Sequence, residues 1–212
     1  MRPAKSAALG SYVRSFNSLI RSLLPLTRVI DAFNRAVGQY LSWLILIAVL
    51  VSATNATVRK IFDTSSNSWL ELQWVLYSVV FLLCAPWTLL DNEHIRVDII
   101  NNLMPTWLRN TIDLVGHALF LLPLTVVMIV TGVPFFEKSY EINEQSMNAG
   151  GLPQWPAKSL IMIGFAILFL QAISEIIKRI AIMRGLIDDP HAAKVSALEA
   201  EVEHLVDAIE KR

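Results

Sequence analysis

Four stretches of the sequence lack charged residues for long enough to cross a membrane. A helix needs roughly 20 predominantly apolar residues to span the hydrocarbon core of a bilayer. The fourth stretch is the shortest, and we expect Lys158 and Glu175 at its ends to extend their charged groups to the interface. The pattern predicts an all-α integral membrane protein. Its four transmembrane helices are expected at about residues 36–58, 70–90, 113–136 and 157–178.

A different periodicity precedes the first span. Apolar residues between positions 12 and 24 fall on one face of a helix, and Arg14 and Arg21 lie on the opposite side. This arrangement is typical of an amphipathic helix in the inner-leaflet interface, beside anionic membrane lipids; packing against a helix of a partner protein is the alternative. We expect Pro25 to end or bend this helix. The membrane-interface candidates are Phe16, Leu19, Ile20, Arg14, Arg21 and Arg28.

Two further helices are predicted outside the spans. Apolar residues from Ile95 to Trp107 form a helical stripe, which predicts a surface helix after the second span, along the membrane or against a partner protein, until Pro105 interrupts it. Near the end of the chain, apolar residues step by three and four positions, as in a coiled coil. Because this seam covers only about two heptads, we interpret it as an amphipathic helix on the cytoplasmic surface. Its residues are Val195, Leu198, Val202, Leu205 and Ile209.

The distribution of Lys and Arg predicts the orientation of the spans. Of the 18 basic residues, fourteen lie before the first span, in the loop after the second, or in the tail, and four lie on the opposite side. Basic residues stay in the cytoplasm, so both termini are expected there. The predicted organisation is a cytoplasmic N-terminal segment, a four-helix membrane domain and a cytoplasmic tail, at residues 1–35, 36–182 and 183–212.

Composition limits the chemistry that the chain can perform. Hydrophobic residues make up 54% of the chain and charged residues 17%, against about a quarter charged in a typical soluble domain. The single cysteine, Cys84, excludes a disulfide or dithiol centre within the chain. The sequence contains no nucleotide-binding loop, nucleophile elbow, zinc motif or dinucleotide fingerprint. We therefore expect neither enzymatic activity nor a cofactor, and no nucleic-acid partner.

Charged residues cluster where the second span ends, at Asp91, Glu93, His94, Arg96 and Asp98. One histidine beside an arginine makes a poor metal site. We interpret the cluster as an ordered polar turn that acts in structure and assembly, with the planar guanidinium of Arg96 bonding carboxylates or carbonyls.

The loop between the third and fourth spans carries three acidic residues followed by Gly150, Gly151 and Pro153. Two interpretations remain open: a docking face for an extracytoplasmic partner, and a solvated loop with a tight turn. The spans themselves are expected to hold almost no buried polar groups, and a transport pathway needs a polar lining. The sequence therefore favours a small membrane subunit that supports a larger protein.

Three short runs resemble the small membrane subunit (DctQ type) of TRAP (tripartite ATP-independent periplasmic) transporters. The first, Glu71-Leu72-Gln73-Trp74, opens the second span, and the second, His94-Ile95-Arg96-Val97-Asp98, matches a His-hydrophobe-Arg-Val-Asp run at the cytoplasmic end of that span in the family. The third, Gly150-Gly151-Leu152-Pro153-Gln154-Trp155-Pro156, leads into the fourth span. The resemblance extends over residues 30–182.

The resemblance implies a division of labour. A periplasmic substrate-binding protein captures the substrate, usually an organic acid with a carboxylate, and a large membrane subunit (DctM type) carries it inward with sodium by an elevator motion. The small subunit is expected to brace the scaffold of the large one, and its outer loops to help seat the binding protein. The structural or partner-interface candidates are Glu71, Glu93, His94, Arg96, Asp98, Gly150, Gly151 and Pro153.

Two other classes of protein are alternatives. The first is a small anchor or assembly subunit of another membrane complex, such as a redox enzyme, although the spans lack paired histidines for haem. The second is a self-contained four-helix channel, which needs a polar stripe along several spans.

Overall fold

The computed structural model describes residues 3–64, 66–91 and 104–189, with side chains from Arg14 onward. Its helices are α1 (Pro3–Ser42), α2 (Leu44–Phe62), α3 (Asn67–Leu90), α4 (Thr106–Val115), α5 (Leu122–Glu141) and α6 (Trp155–Met183). A π-helical turn, Gly116–Leu121, joins α4 to α5 and contains the buried His117.

Four helical units are long and apolar enough to span a membrane, which confirms the predicted all-α membrane architecture. They are Arg14–Phe62, Asn67–Leu90, Thr106–Glu141 and Trp155–Met183. The tail helix predicted between Val195 and Ile209 lies outside the described residues, and so does most of the surface helix predicted after the second span. The domain boundaries after residues 35 and 182 stay predictions.

The first unit contains a local break at Trp43, which separates α1 from α2. Trp43 keeps helical backbone angles, φ −65° and ψ −21°. Its carbonyl still accepts hydrogen bonds from the amides of Leu46 and Ile47, at 3.1 and 3.5 Å. The Ser42 hydroxyl donates to the carbonyl of Gln39 at 2.8 Å and thereby competes with backbone pairing at this point. The chain therefore continues in nearly helical form from α1 into α2.

Pro25 lies inside α1, so the helix does not end there, which was one of the two outcomes predicted for this residue. The hydroxyls of Ser22 and Thr27 donate to the carbonyls of Leu19 and Leu24, at 2.7 and 2.9 Å. Neither bond reaches the carbonyl of Arg21, which is the one that a proline at position 25 leaves without an intrahelical N–H partner. The N-terminal helix nevertheless continues past Pro25 toward the first span.

One face of α1 is buried in the bundle. Ile20, Thr27 and Asn34 lie seven residues apart and are only 4%, 2% and 2% exposed. Phe16 and Leu19, expected to enter lipid together with Ile20, are 42% and 55% exposed. The predicted apolar face is therefore divided, because Ile20 packs inward while its neighbours remain outside. The placement of α1 in the lipid interface stays a prediction.

Glycines allow two helices to approach α3 closely. A Cβ at Gly38 on α1 would lie 2.4 Å from the ring of Trp87, and one at Gly164 on α6 would lie 2.9 Å from Leu82. On α5, the residues that face inward are also small and lie seven positions apart. They are Thr125, Gly132 and Ser139. Close helix contact through small residues is typical of membrane proteins.

Polar contacts show which loops lie together. At one end of the bundle, the side-chain amide of Asn67 donates to the carbonyl of Ala149 at 3.0 Å. At the other end, Arg35 forms an ion pair with Asp91 at 3.1 Å. The two loops predicted to face outward are therefore neighbours, at the end of the bundle opposite to the Arg35–Asp91 pair.

Candidate functional site

The largest polar cluster of the described residues lies between α1 and α6. We name it the α1–α6 network, and its members are Asp31, Asn34, Gln171, Ser174, Glu175 and Lys178. The four residues on α6 follow the spacing i, i+3, i+4 and i+7, which places them on one helical face. Asp31 and Asn34 are likewise one turn apart on α1.

Gln171 is the centre of the network and is fully buried. Its carbonyl oxygen accepts a 2.6 Å hydrogen bond from Asn34, and its amide nitrogen donates to Asp31 at 3.0 Å and to Glu175 at 2.9 Å. An amide has both donors and an acceptor, so this one side chain satisfies partners of both kinds. Its removal would take away the acceptor of the Asn34 amide and one donor each from Asp31 and Glu175.

Lys178 balances part of the negative charge in the network. Its ammonium lies 2.9 Å from Asp31 Oδ2 and 2.5 Å from Glu175 Oε1. The Ser174 hydroxyl also donates to Asp31, at 3.0 Å. Two carboxylates therefore share one ammonium and also accept hydrogen bonds from neutral donors, which lowers the cost of holding the remaining negative charge between the helices.

A second set of polar contacts joins α6 to α4. Arg179 bonds Asn110 at 3.1 Å and pairs with Asp113 at 3.2 Å. Arg109 pairs with Asp189 at 2.7 Å, after the end of α6. The Arg179 and Arg109 side chains are nearly buried, so breaking either ion pair would cost more stability than breaking a pair at an exposed surface. The last turns of α6 are thus held from two sides.

These networks correct two expectations. The expectation of almost no buried polar groups was wrong, because Asn34, Gln171 and Ser174 are buried among the helices. The expectation that Glu175 extends to the interface was also wrong: the residue is 7% exposed and bonds within the bundle. The i, i+3, i+4 and i+7 spacing on α6 was the sequence signal that could have revealed this polar face.

At the other end of the bundle, Glu71 holds the loop between α5 and α6. Although it is charged, Glu71 is only 5% exposed. One carboxylate oxygen accepts a hydrogen bond from the Ser146 hydroxyl and another, 2.9 Å long, from the Asn148 amide. The second oxygen accepts the backbone N–H of Leu152 at 2.6 Å. One side chain of α3 therefore fixes three points of the loop.

Glycine is required where the loop meets this carboxylate. A Cβ at Gly151 would lie 2.4 Å from Ser146 Cβ and 2.7 Å from Glu71 Oε1. Gly150 has a φ of +70°, a conformation that favours glycine. Pro153 forms an isolated antiparallel bridge with Gln145, which closes the loop on itself. The predicted candidates Glu71, Gly150, Gly151 and Pro153 thus meet in one compact structure.

An ion pair supports the base of this loop. Lys158, near the start of α6, bonds the carboxylate of Glu144 and lies 4.1 Å from the centre of the Phe135 ring. This hydrogen bond from Lys158 lowers the pKa of Glu144 below its usual value of 4.5. The loop therefore contains a carboxylate that is stabilised in its charged form.

Four of the other predicted site residues lie outside the part of the chain that the structure describes. They are Glu93, His94, Arg96 and Asp98. Among the residues that are described, no three His, Cys, Asp or Glu side chains are grouped so that they could hold a metal ion. The described residues thus form two groups of polar contacts, one at each end of an apolar bundle.

A comparison with known families gives one match. The sequence profile described as "Tripartite ATP-independent periplasmic transporters, DctQ component" matches residues 47–181, which include α3, α4, α5 and nearly all of α6. No curated protein and no solved structure gives a significant match.

Proposed function

Because the chain belongs to the DctQ family of tripartite ATP-independent periplasmic transporters, we propose that it braces the scaffold of a large membrane subunit of DctM type. The family and the four apolar helices make the chain a multi-pass inner-membrane protein and a small TRAP transporter subunit. The proposed transporter is coupled to sodium and imports organic acids with a carboxylate.

The observation that carries the bracing role is the contrast between the inside and the outside of the bundle. Inside, the α1–α6 network and the contacts of Arg179 pair charged and polar groups with one another. Outside, large apolar side chains are exposed on several helices, including Leu50, Phe81, Phe120 and Val130. A bundle of this kind resists internal rearrangement while offering a wide apolar surface to lipid and to a membrane partner.

The same contrast argues against transport by the chain alone. Residues 159–170, between Lys158 and Gln171, include no charged residue. The α1–α6 network is confined to one end of α6, so it does not line a path through the bundle. A solute pathway needs polar groups at successive depths of the membrane.

Reconstitution tests this division of labour. We expect vesicles that contain only this chain to show no sodium-dependent uptake of an organic acid. Vesicles with the chain, the large subunit and the binding protein should show uptake, and the large subunit should co-purify with the chain. Robust uptake by the isolated chain would contradict the bracing role and favour a self-contained carrier or channel.

The proposed orientation places both termini in the cytoplasm and the loop between α5 and α6 in the periplasm. Met147 in this loop is fully exposed and would be available to the binding protein. In a Cys84→Ala background, Asn148→Cys should react with an impermeant maleimide on cells with a permeable outer membrane. Ala192→Cys should react only after lysis. The reverse pattern would overturn the orientation.

A further inference from the structure

A second apolar surface runs along α1, apart from the face that is buried in the bundle. We name it the α1 stripe, and its residues are Leu19, Ser22, Leu26, Val29 and Phe33. They step by three, four, three and four positions. The four large apolar members are 55%, 53%, 66% and 52% exposed in chain order. Apolar residues at this spacing form the contact face between two helices in a coiled coil.

We propose that the C-terminal segment of the same chain, residues 195–209, docks on the α1 stripe as a parallel helix. The apolar residues of that segment step by three, four, three and four positions, as do those of the stripe. Each seam covers a rise of fourteen residues, which is about 21 Å of helix. The two seams therefore match in spacing and in length over their whole extent.

The path of the chain brings the segment to the right place. Just after α6, the guanidinium of Arg184 lies 5.1 Å from the centre of the Phe16 ring, one turn before the stripe begins. Residues 185–189 lie against the bundle, where Asp189 pairs with Arg109, and the five residues from Pro190 to Lys194 add about 17 Å of reach when extended. A helix that starts beside Leu19 and follows the stripe runs in the same direction as α1.

Charge favours the same alignment. Residues 195–210 contain five acidic residues and no Lys or Arg, whereas α1 carries exposed arginines seven positions apart, at Arg21 and Arg28. A parallel alignment that places Val202 beside Leu26 brings Glu203 and Glu210 to the side of the pair on which these arginines lie. Opposite charges then flank the apolar seam.

Attachment to the same chain explains why so short a seam can form a stable contact. A two-heptad seam is too short for a stable free coiled coil. A short linker raises the effective concentration of the segment near the stripe to the millimolar range. Lipid, the large subunit and a second copy of the chain are the competing occupants of the stripe.

Paired cysteines in the purified full-length chain distinguish these occupants. In a Cys84→Ala background, Leu26→Cys with Val202→Cys should form a disulfide within one chain under mild oxidation, seen as a faster band on a non-reducing gel. The matched control is Leu26→Cys with His204→Cys, because position 204 falls on the far side of the docked helix. We expect several-fold less cross-linking in the control.

The other outcomes contradict the proposal. A band at twice the mass would assign the stripe to a second copy. No disulfide in folded protein whose cysteines both react with maleimide would show that the segment does not occupy the stripe. Since the cross-linking is measured on the isolated chain, a negative result would contradict the docking proposal without bearing on the proposed role in transport.

A charge exchange tests the alignment by a different route. Arg28→Glu should lower the disulfide yield several-fold in the Leu26→Cys, Val202→Cys chain, and adding Glu203→Arg should restore it, because this alignment brings Glu203 to the level of Arg28. Circular dichroism monitors folding of each variant. A yield that does not change on Arg28→Glu would overturn the parallel alignment.

Discussion

The side-chain amide of Asn34 on α1 lies 2.6 Å from the carbonyl oxygen of Gln171 on α6, although 137 positions separate the two residues in sequence. Both side chains are almost completely buried. The pair therefore connects the first and the last helix of the bundle in a place that water does not reach, where an unpaired amide is costly.

Gln171→Leu should destabilise the protein markedly. The change leaves Asn34, Asp31 and Glu175 each without one partner, and an unsatisfied buried group costs about 1–3 kcal/mol. We expect a lower melting temperature in detergent. Gln39→Leu, at an exposed position of α1, is the matched control and should have little effect. Equal melting temperatures for Gln171→Leu and the parent protein would show that the α1–α6 network does not stabilise the fold.

Gly38→Ala should separate α1 from α3. Its Cβ would lie between 2.4 and 2.8 Å from atoms of the Trp87 side chain, and overpacking of this kind costs about 1–3 kcal/mol. The melting temperature in detergent should therefore fall. Gly116→Ala is the control, because no atom lies within 4 Å of its added Cβ. Similar behaviour of the two variants would indicate that the contact at Gly38 is looser than described.

Glu71→Ala should release the loop between α5 and α6. The carboxylate accepts bonds from three loop residues, Ser146, Asn148 and Leu152. Amide hydrogen exchange of residues 146–152 should therefore become several-fold faster, while exchange within α6 stays slow. Glu141→Ala changes an exposed acid at the end of α5 and should leave loop exchange unaltered. Unchanged exchange in Glu71→Ala would mean that the loop closes without this carboxylate.

The Glu144–Lys158 pair should make the stability depend on pH. Because the pKa of Glu144 is lowered in the folded protein, its contribution is present above the usual value of 4.5 and is lost as the pH falls through the lowered value. Glu144→Gln should therefore melt earlier than the parent protein at neutral pH, and the gap should narrow in acid. Glu141→Gln should show no such narrowing. A gap that stays constant from neutral pH into acid would contradict the assignment.

The sequence predicted the four spans because each is an uncharged run of sufficient length. It also placed Glu71 with Gly150, Gly151 and Pro153 among the candidates through a family resemblance, although no periodicity connects α3 with a loop more than 70 positions away. The geometry of that contact depends on the close approach at Gly151, which only the fold reveals.

The buried network escaped prediction for a physical reason. Charged side chains near the end of an apolar run usually extend to the membrane interface, and Glu175 and Lys178 lie at such positions. Their partner, Asp31, lies in a segment interpreted as separate from the membrane domain. Whether a charged side chain can be buried depends on a partner that is far away in sequence. The hydropathy of a span, in contrast, is a property of one continuous segment.

Asp31 also constrains how the protein can be made. Its partners Gln171, Ser174 and Lys178 are synthesised about 140 residues after it, so the ribosome has made most of the chain before Asp31 and Asn34 can be satisfied. Until α6 arrives, the nascent protein exposes a polar edge on α1. We expect a chain truncated after α5 to keep that edge unsatisfied and to be degraded faster in cells than the full chain.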